Sequence, residues 1–478
     1  MPITINRFRV EGPRCRGRFG IGRAGAFPAM AVLAALATAD TARSQSVDPP
    51  NIVVILTDDQ GRGDYSAFGT PDLQTPALDR LYREGAELSE FRANCPVCSP
   101  TRASLMTGCY PDRVGVPGVI RTAPENSWGF LSPRPELLPR LLKRAGYHTG
   151  MVGKWHLGLE RPNTPNARGF DVFHGFLGDM MDDYNTHLRH GKNYMRRNER
   201  EIAPAGHATD LFTDWAIDYL KDRSRSARPF FLYLAYNAPH DPIQPPPDWL
   251  ARVRRSRPRL DSRRAGLAAL IEHMDSGIGR VLDMLDRLDL TRSTLLVFTS
   301  DNGGRIQTGA VNGPWRSGKE HMYEGGLRVP AVVRWPGRIA AGHKSRWPAV
   351  TMDLLPTLCE AAGAPAGGDR DGISFLKELT TGLQAVPERD LYFVRREGGP
   401  AYGGKTIEAL IRKNWKLVLD SPFGRAELYD LATDPYETTD LSNRQPARLA
   451  ELRSALQLRT QDGGRTPWQP PVTRKSVP

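Results

Sequence analysis

Four short apolar runs, each ending in charged or metal-competent side chains, constrain the fold of this 478-residue chain most. "NIVVILT" (51–57) is continuous, apolar and β-branched, hence a buried strand, and it runs into Asp58 and Asp59. "YHTGMVG" (147–153) runs into Lys154 and His156, and "RPFFLYLAY" (228–236) leads to His240. "STLLVFT" (293–299) leads through Ser300 to Asp301 and Asn302. Strands without polar alternation must be covered on both faces, as in a parallel sheet between layers of helices.

Helical segments lie between these strands. "TPALDRLYREG" (75–85) carries Thr75 as an N-cap, Pro76 at the first helical position and Gly85 as a stop. "PELLPRLLKRAG" (135–146) is a second helix. In 266–288, Leu267, Leu270, Ile271, Met274, Ile278, Val281, Leu282 and Leu285 recur at helical spacing. The expected fold is therefore α/β, a mostly parallel central sheet flanked by helices. Beyond residue 385 the texture changes. "RDLYFVRR", "TIEALIRKNWKLVLD" and "AELYDL" are strand-like, and "PARLAELRSALQL" is one terminal helix. That reading divides the chain into a catalytic domain over 40–385 and a smaller α+β subdomain with an antiparallel sheet over 386–478.

Residues 1–39 carry Arg7, Arg9, Arg14, Arg16, Arg18 and Arg23 against Glu11, then an alanine-rich apolar stretch ending in Ala37-Thr38-Ala39. This is the pattern of a secretory signal peptide, so export to the periplasm or the medium is expected, without membrane insertion after cleavage. The segment holds +5 of the chain's net +12, which leaves a modest, scattered +7 and no tract suited to nucleic acid. Beyond it stand Cys95, Cys98, Cys109 and Cys359, too few for a disulfide scaffold.

Cys95-Pro96-Val97-Cys98 spells C-x-x-C, a redox pair or half a zinc site, but no second pair completes the zinc reading. From Cys98 onward the stretch suggests other chemistry. Ser99 suits an N-cap, Pro100 the first helical position and Gly108 a stop, so Cys98 falls at a helix N-terminus, where an anion is favoured. Arg102 follows about one turn later. Asp58, Asp59, Asp301 and Asn302 offer hard oxygen donors, which suit Ca²⁺ or Mg²⁺ better than zinc. Four strand ends carrying such groups point to the carboxyl edge of the sheet, where open α/β folds bind ligands. A cysteine, an arginine and a helix N-terminus beside a dication form a pocket for a tetrahedral oxyanion.

Residues 98–108, Cys-Ser-Pro-Thr-Arg-Ala-Ser-Leu-Met-Thr-Gly, resemble the signature C-x-P-[S/T]-R-x-x-x-[L/M]-T-G of type I sulfatases. "LTDDQGRGD" (56–64), "VGKWHLG" (152–158), "RGFDVF" (168–173), "NAPHDP" (237–242), "SDNGG" (300–304), "GKEHMYEGGLRVP" (318–330) and "ELYDLATDPYE" (427–437) extend the resemblance over nearly all of the chain beyond residue 50. It implies an alkaline-phosphatase-like fold and hydrolysis of an aryl or carbohydrate sulfate. It also implies a Cα-formylglycine made from Cys98 by a formylglycine-generating enzyme. Asp58, Asp59, Asp301 and Asn302 would hold Ca²⁺ (or Mg²⁺) together with the modified Cys98. The hydrated aldehyde would attack sulfur, His240 or Lys319 would protonate the leaving alcohol, and His156 would be the base that expels sulfate. Arg102 and Lys154 would hold the diol and the sulfate oxygens.

Phosphonate monoester and phosphodiester hydrolases of the same superfamily are the rival reading, since they share the nucleophile and the metal. A thiol oxidoreductase built on Cys95 and Cys98 leaves the strand ends unexplained, and a catalytically dead relative would have lost one of Cys98, Arg102, Asp301 or Lys319. Cys95 is expected to stay a free, buried thiol. His187, His190 and His321 are weaker candidates for reaching the substrate, and Asp182-Asp183-Tyr184 lies in a stretch that approaches the pocket in relatives.

Overall fold

The computed structural model describes residues 49–469, apart from 399–401, 420 and 422. The expected signal peptide, residues 1–39, lies outside the described residues.

The strands are β1 (Asn51–Thr57), β2 (Ala86–Leu88), β3 (His148–Lys154), β4 (Val172–Phe176), β5 (Leu188–Arg189), β6 (Lys192–Asn193), β7 (Met195–Arg197), β8 (Arg200–Glu201), β9 (Phe230–Ala235), β10 (Thr294–Ser300), β11 (Ala331–Arg334) and β12 (Lys344–Ser345). Ten of them form one sheet in the order β12-β2-β11-β10-β1-β9-β3-β4-β7-β8, and β5–β6 make a separate hairpin. The central five, β10-β1-β9-β3-β4, are mutually parallel. Antiparallel pairs flank them on both sides. The four apolar runs of the sequence are four of these five central strands.

Both faces of the sheet are covered, as the strands' composition demands. Ile52, Val54 and Leu56 of β1 enter one core with Leu105, Leu138, Leu141 and Leu355, whereas Val53 and Ile55 enter the other with Leu78, Phe212, Leu270 and Ile278. Helices Cys98–Thr107, Leu138–Arg144 and Leu354–Ala361 thus lie against one face, and Pro76–Glu84, Ala208–Arg223 and Ser262–Arg287 against the other. No described helix is long and apolar enough to cross a membrane.

Register brings the strand ends together. Thr57 pairs with Ser300, Leu56 with Ala235, and Gly153 with Ala235, so Asp58, Asp301 and Lys154 emerge along one edge. Gly153 has φ +103°, and a Cβ there would meet the Ala235 carbonyl oxygen at 1.9 Å. Only glycine lets β3 lie this close to β9 while presenting Lys154.

The C-terminal part forms a four-stranded antiparallel sheet of β13 (Asp390–Glu397), β14 (Lys405–Arg412), β15 (Trp415–Leu419) and β16 (Ala426–Asp430), backed by helix Pro446–Gly463. A buried ion cluster joins it to the part built on the ten-stranded sheet: Glu324 accepts from Arg92 at 2.7 Å and pairs with Lys416 at 2.9 Å, and Lys416 also pairs with Glu437 at 2.8 Å.

Two expected caps differ. The helix after the C-x-x-C starts at Cys98 itself, with Val97 as N-cap, because the Ser99 hydroxyl accepts the Ile120 N–H instead. Thr75 makes no cap bond. Its hydroxyl accepts the Ser66 N–H, and the Asp275 carboxylate, from a distant helix, takes the Ala77 and Leu78 N–H groups at 3.0 and 2.9 Å.

Candidate active site

Asp58 and Asp59 leave β1 in a turn that holds Asp59 at φ 67°, and the turn after β3 holds His156 at φ 59°. Left-handed backbone at two non-glycine residues costs energy that the surrounding fold must impose. Both turns flank the Cys98 helix N-terminus.

Cys98 is 3% exposed, and its Sγ lies 3.4 Å from Asp58 Oδ1. Asp58 Oδ2 accepts from Lys154 Nζ at 2.5 Å. Asp59 accepts from Asn302 Nδ2 at 2.7 Å and from Lys319 Nζ at 2.5 Å, and its N–H donates to Asp301 Oδ1 at 3.2 Å. Arg102, fully buried, donates twice to Asp301 Oδ2 at 2.8 and 3.0 Å and once to the Lys154 carbonyl at 3.1 Å. Lys319 Nζ and His240 Nε2 are 3.0 Å apart, and His240 Nδ1 bonds the Asp241 carbonyl at 2.7 Å. Tyr184 donates to the Asn237 and His240 carbonyls, fixing the loop that carries His240.

The arrangement sets protonation states. Burial would raise the Asp58 carboxyl, but Lys154, His240, Arg102 and Lys319 together hold it well below the usual carboxylate range. Burial would lower the Lys319 ammonium, but Asp59 beside it keeps it well above its usual value. Burial, then Lys154 and Arg102, push His156 far below its ordinary value. Its Nε2 donates to the Ile120 carbonyl at 2.7 Å, so the lone pair of a neutral ring sits on Nδ1, which is buried and without a partner among the described residues. Burial, followed by Asp58, raises the Cys98 thiol well above its ordinary value. An unmodified thiol here stays protonated and is a poor nucleophile.

Ligand atoms of Asp58, Asp59, Cys98 and His240 lie within 4.8 Å of one another. Asp301 joins this group through Arg102 and the Asp59 N–H, and Asn302 through Asp59. Two observations fit a dication. The Asn302 Oδ1 oxygen is buried with no partner among the described residues. Burial and the Asp58 charge push Asp301 up to about 7 despite Arg102, as expected where the local positive charge falls short.

All four described cysteines are free and buried, as expected for Cys95, and burial raises the Cys95 thiol well above its ordinary value. Thr101 explains its place in the motif: its hydroxyl accepts the Cys95 N–H at 3.1 Å and donates to the Cys95 carbonyl at 2.9 Å.

A cleft of about 150 Å³ opens over Cys98, His156, His240 and Lys319. Its walls also include Glu320, which falls within the 318–330 motif, and Arg121, Asp179, Arg189, Arg305, Arg395 and Tyr402, which no motif announced. Asp179 and Arg189 flank the 182–184 stretch, and Arg305 directly follows the 300–304 motif. His187, His190 and His321 do not line the cleft, and His187 instead bonds the Gly206 carbonyl at 2.9 Å.

Residues 50–364 match the family "Sulfatase", and residues 315–462 match "N-sulphoglucosamine sulphohydrolase, C-terminal". The chain is 33% identical to N-acetylgalactosamine-6-sulfatase of Canis lupus familiaris over 387 residues, 76% of this chain and 72% of that protein. It is 32% identical to Homo sapiens arylsulfatase A over 457 residues, 85% of this chain and 86% of that protein. Among solved structures it resembles Ps i-CgsB in complex with k-i-k-neocarrahexaose, with TM-score 0.80, 28% identity, and 89% and 96% of the two chains covered. The phosphonate monoester hydrolase of Agrobacterium radiobacter shares the fold at TM-score 0.64, 22% identity, and 86% and 96% coverage.

Proposed function

The chain belongs to the type I sulfatase family and hydrolyses sulfate esters, and from that premise we propose that it removes sulfate from a carbohydrate through a formylglycine made from Cys98. The observation that carries the site assignment is the buried meeting of Cys98 with Asp58 on one side and the Lys319–His240 pair on the other. The saccharide complex of a structural relative supports the substrate class.

Cys98 Sγ stands where the hydrate oxygens of formylglycine would lie. Once formed, that group would supply the attacking hydroxyl, and a second hydroxyl through which the sulfate adduct can collapse. A dication held by Asp58, Asp59, Asp301 and Asn302 would supply Lewis-acid polarisation and lower the pKa of that hydroxyl. Arg102 and Lys154, fixed by Asp301 and Asp58, direct positive charge at the nucleophile and the sulfate oxygens. Lys319 and His240 share a hydrogen bond and act as one proton donor to the leaving oxygen. His156 receives a proton at its unpartnered Nδ1, and the strained turn keeps that atom in place. The basic and apolar character of residues 1–39 supports export to the periplasm or beyond.

The test is co-expression with a formylglycine-generating enzyme, then release of free sulfate from a panel of sulfated saccharides and an aryl sulfate. Peptide mass spectrometry should find the aldehyde at position 98, chelation should abolish turnover, and Cys98→Ala should be inactive yet folded. Undiminished activity of Cys98→Ala would overturn the assignment. A higher kcat/KM on an aryl phosphonate than on any sulfate ester would establish the rival reading.

A further inference from the structure

One wall of the cleft comes from the C-terminal sheet. Arg395 on β13 lines it, together with Tyr402 just beyond that strand. Arg395 is 1% exposed, as deeply buried as core residues. Its Nε donates to Glu397 Oε1 at 2.6 Å, and its Nη2 lies 3.6 Å from Glu320, the residue after Lys319. Its Nη1 is buried with no hydrogen-bond partner among the described residues. Leaving a charged donor unpaired in a protein interior is costly, so such groups call for a functional or structural reason. Here the donor belongs to a side chain on the wall of the substrate cleft.

Arg121 stands on the same wall. Its guanidinium lies 4.2 Å from the centre of the Tyr402 ring and pairs with Glu397 Oε2 at 2.5 Å. Two guanidinium groups therefore divide one fully buried carboxylate between them. Glu320 adds some countercharge, but its side chain is 44% exposed and solvent screens it. The other cleft arginines have carboxylates of their own: Arg305 is paired with Asp241 at 3.0 Å, and Arg189, whose Nε also lacks a hydrogen bond among the described residues, with Asp182 at 2.7 Å and Asp179 at 3.3 Å.

We propose that Arg395, with Arg121 beside it, forms a second oxyanion subsite that binds an anionic substituent on the leaving alcohol, so that the preferred substrate is an acidic saccharide rather than a singly charged ester. The subsite rests on the sulfatase reading and refines it. Guanidinium forks suit planar carboxylates and tetrahedral sulfates alike, and both occur on acidic sugars. The subsite acts on binding and orientation, since Lys319 and His240 face the reacting bond.

The test compares kcat/KM of the mature enzyme on three esters: a monosulfated neutral saccharide, its disulfated counterpart, and a monosulfated saccharide bearing a carboxylate. The wild type should favour the two dianionic substrates, mainly through KM, and that preference should shrink as ionic strength rises. In Arg395→Met the ratio of dianionic to monoanionic kcat/KM should fall about tenfold to a hundredfold, the range of a lost charge-assisted hydrogen bond. Arg395→Lys should restore part of the ratio. The disulfated and carboxylate-bearing arms tell which oxyanion the subsite takes. A wild type with no salt-sensitive preference, or an Arg395→Met ratio equal to that of the wild type, overturns the inference. The wild-type salt series needs no variant to fold. Wild-type turnover without preference sinks this subsite alone, whereas no turnover of any sulfate ester sinks the sulfatase reading with it.

Discussion

At the scale of the residue, His156 illustrates how burial and neighbouring charge select a role. Burial, Lys154 and Arg102 keep the ring neutral, and the Ile120 carbonyl fixes which nitrogen carries the proton. His156→Ala should lower kcat by about 10²–10⁴, the usual contribution of a positioned base, with a smaller change in KM, as read from steady-state sulfate release. Because its pKa is lowered, protonation of His156 should not limit kcat until pH falls well below 6.5, which a pH–rate profile measures. Thr101 shows why the signature wants a hydroxyl at that position. Thr101→Val would leave the buried N–H and C=O of Cys95 unpaired and should cost about 1–3 kcal/mol in thermal unfolding, while Thr101→Ser should be close to wild type. The motif marked this residue in the sequence. Its partner could not be read there, because a hydrogen bond to the backbone of Cys95 depends on how the preceding loop folds back.

At the scale of the element, strands and the glycine stops Gly85 and Gly108 were readable, and N-caps were not. A buried strand announces itself through a continuous apolar run, whereas a cap is one hydrogen bond that any nearby oxygen can make. Helix Pro76–Glu84 is capped by Asp275 from the middle of helix Ser262–Arg287. Burial raises the Asp275 carboxyl to about 7 even though the Ala77 and Leu78 N–H groups lower it. The folded state then binds this proton more tightly than the unfolded state, with its ordinary value near 3.8. The linked stability is present in full below the unfolded value and is lost as pH rises through about 7. Unfolding midpoints of the wild type should therefore fall across that window, and Asp275→Asn should flatten the dependence.

At the scale of the whole molecule, the Glu324 cluster ties β15 to the catalytic part through charges that no solvent reaches. Lys416→Met should cost about 3–5 kcal/mol by leaving the buried Glu437 carboxylate beside Glu324 without its countercharge, and Lys416→Met with Glu437→Gln should recover part of that loss, measured by denaturant unfolding. The sequence alone determined the class of the fold, the strand ends that deliver Asp58, Lys154, His240 and Asp301, and the signature around Cys98, because each is written in contiguous residues. Only the tertiary structure decided that Asn302 Oδ1 and His156 Nδ1 stay without a hydrogen-bond partner among the described residues. It alone brought Arg121 and Arg395, from a loop and from the C-terminal sheet, onto the cleft wall. Such juxtapositions join residues hundreds of positions apart, and they follow from strand register and the docking of the second sheet, which leave no local pattern in the chain.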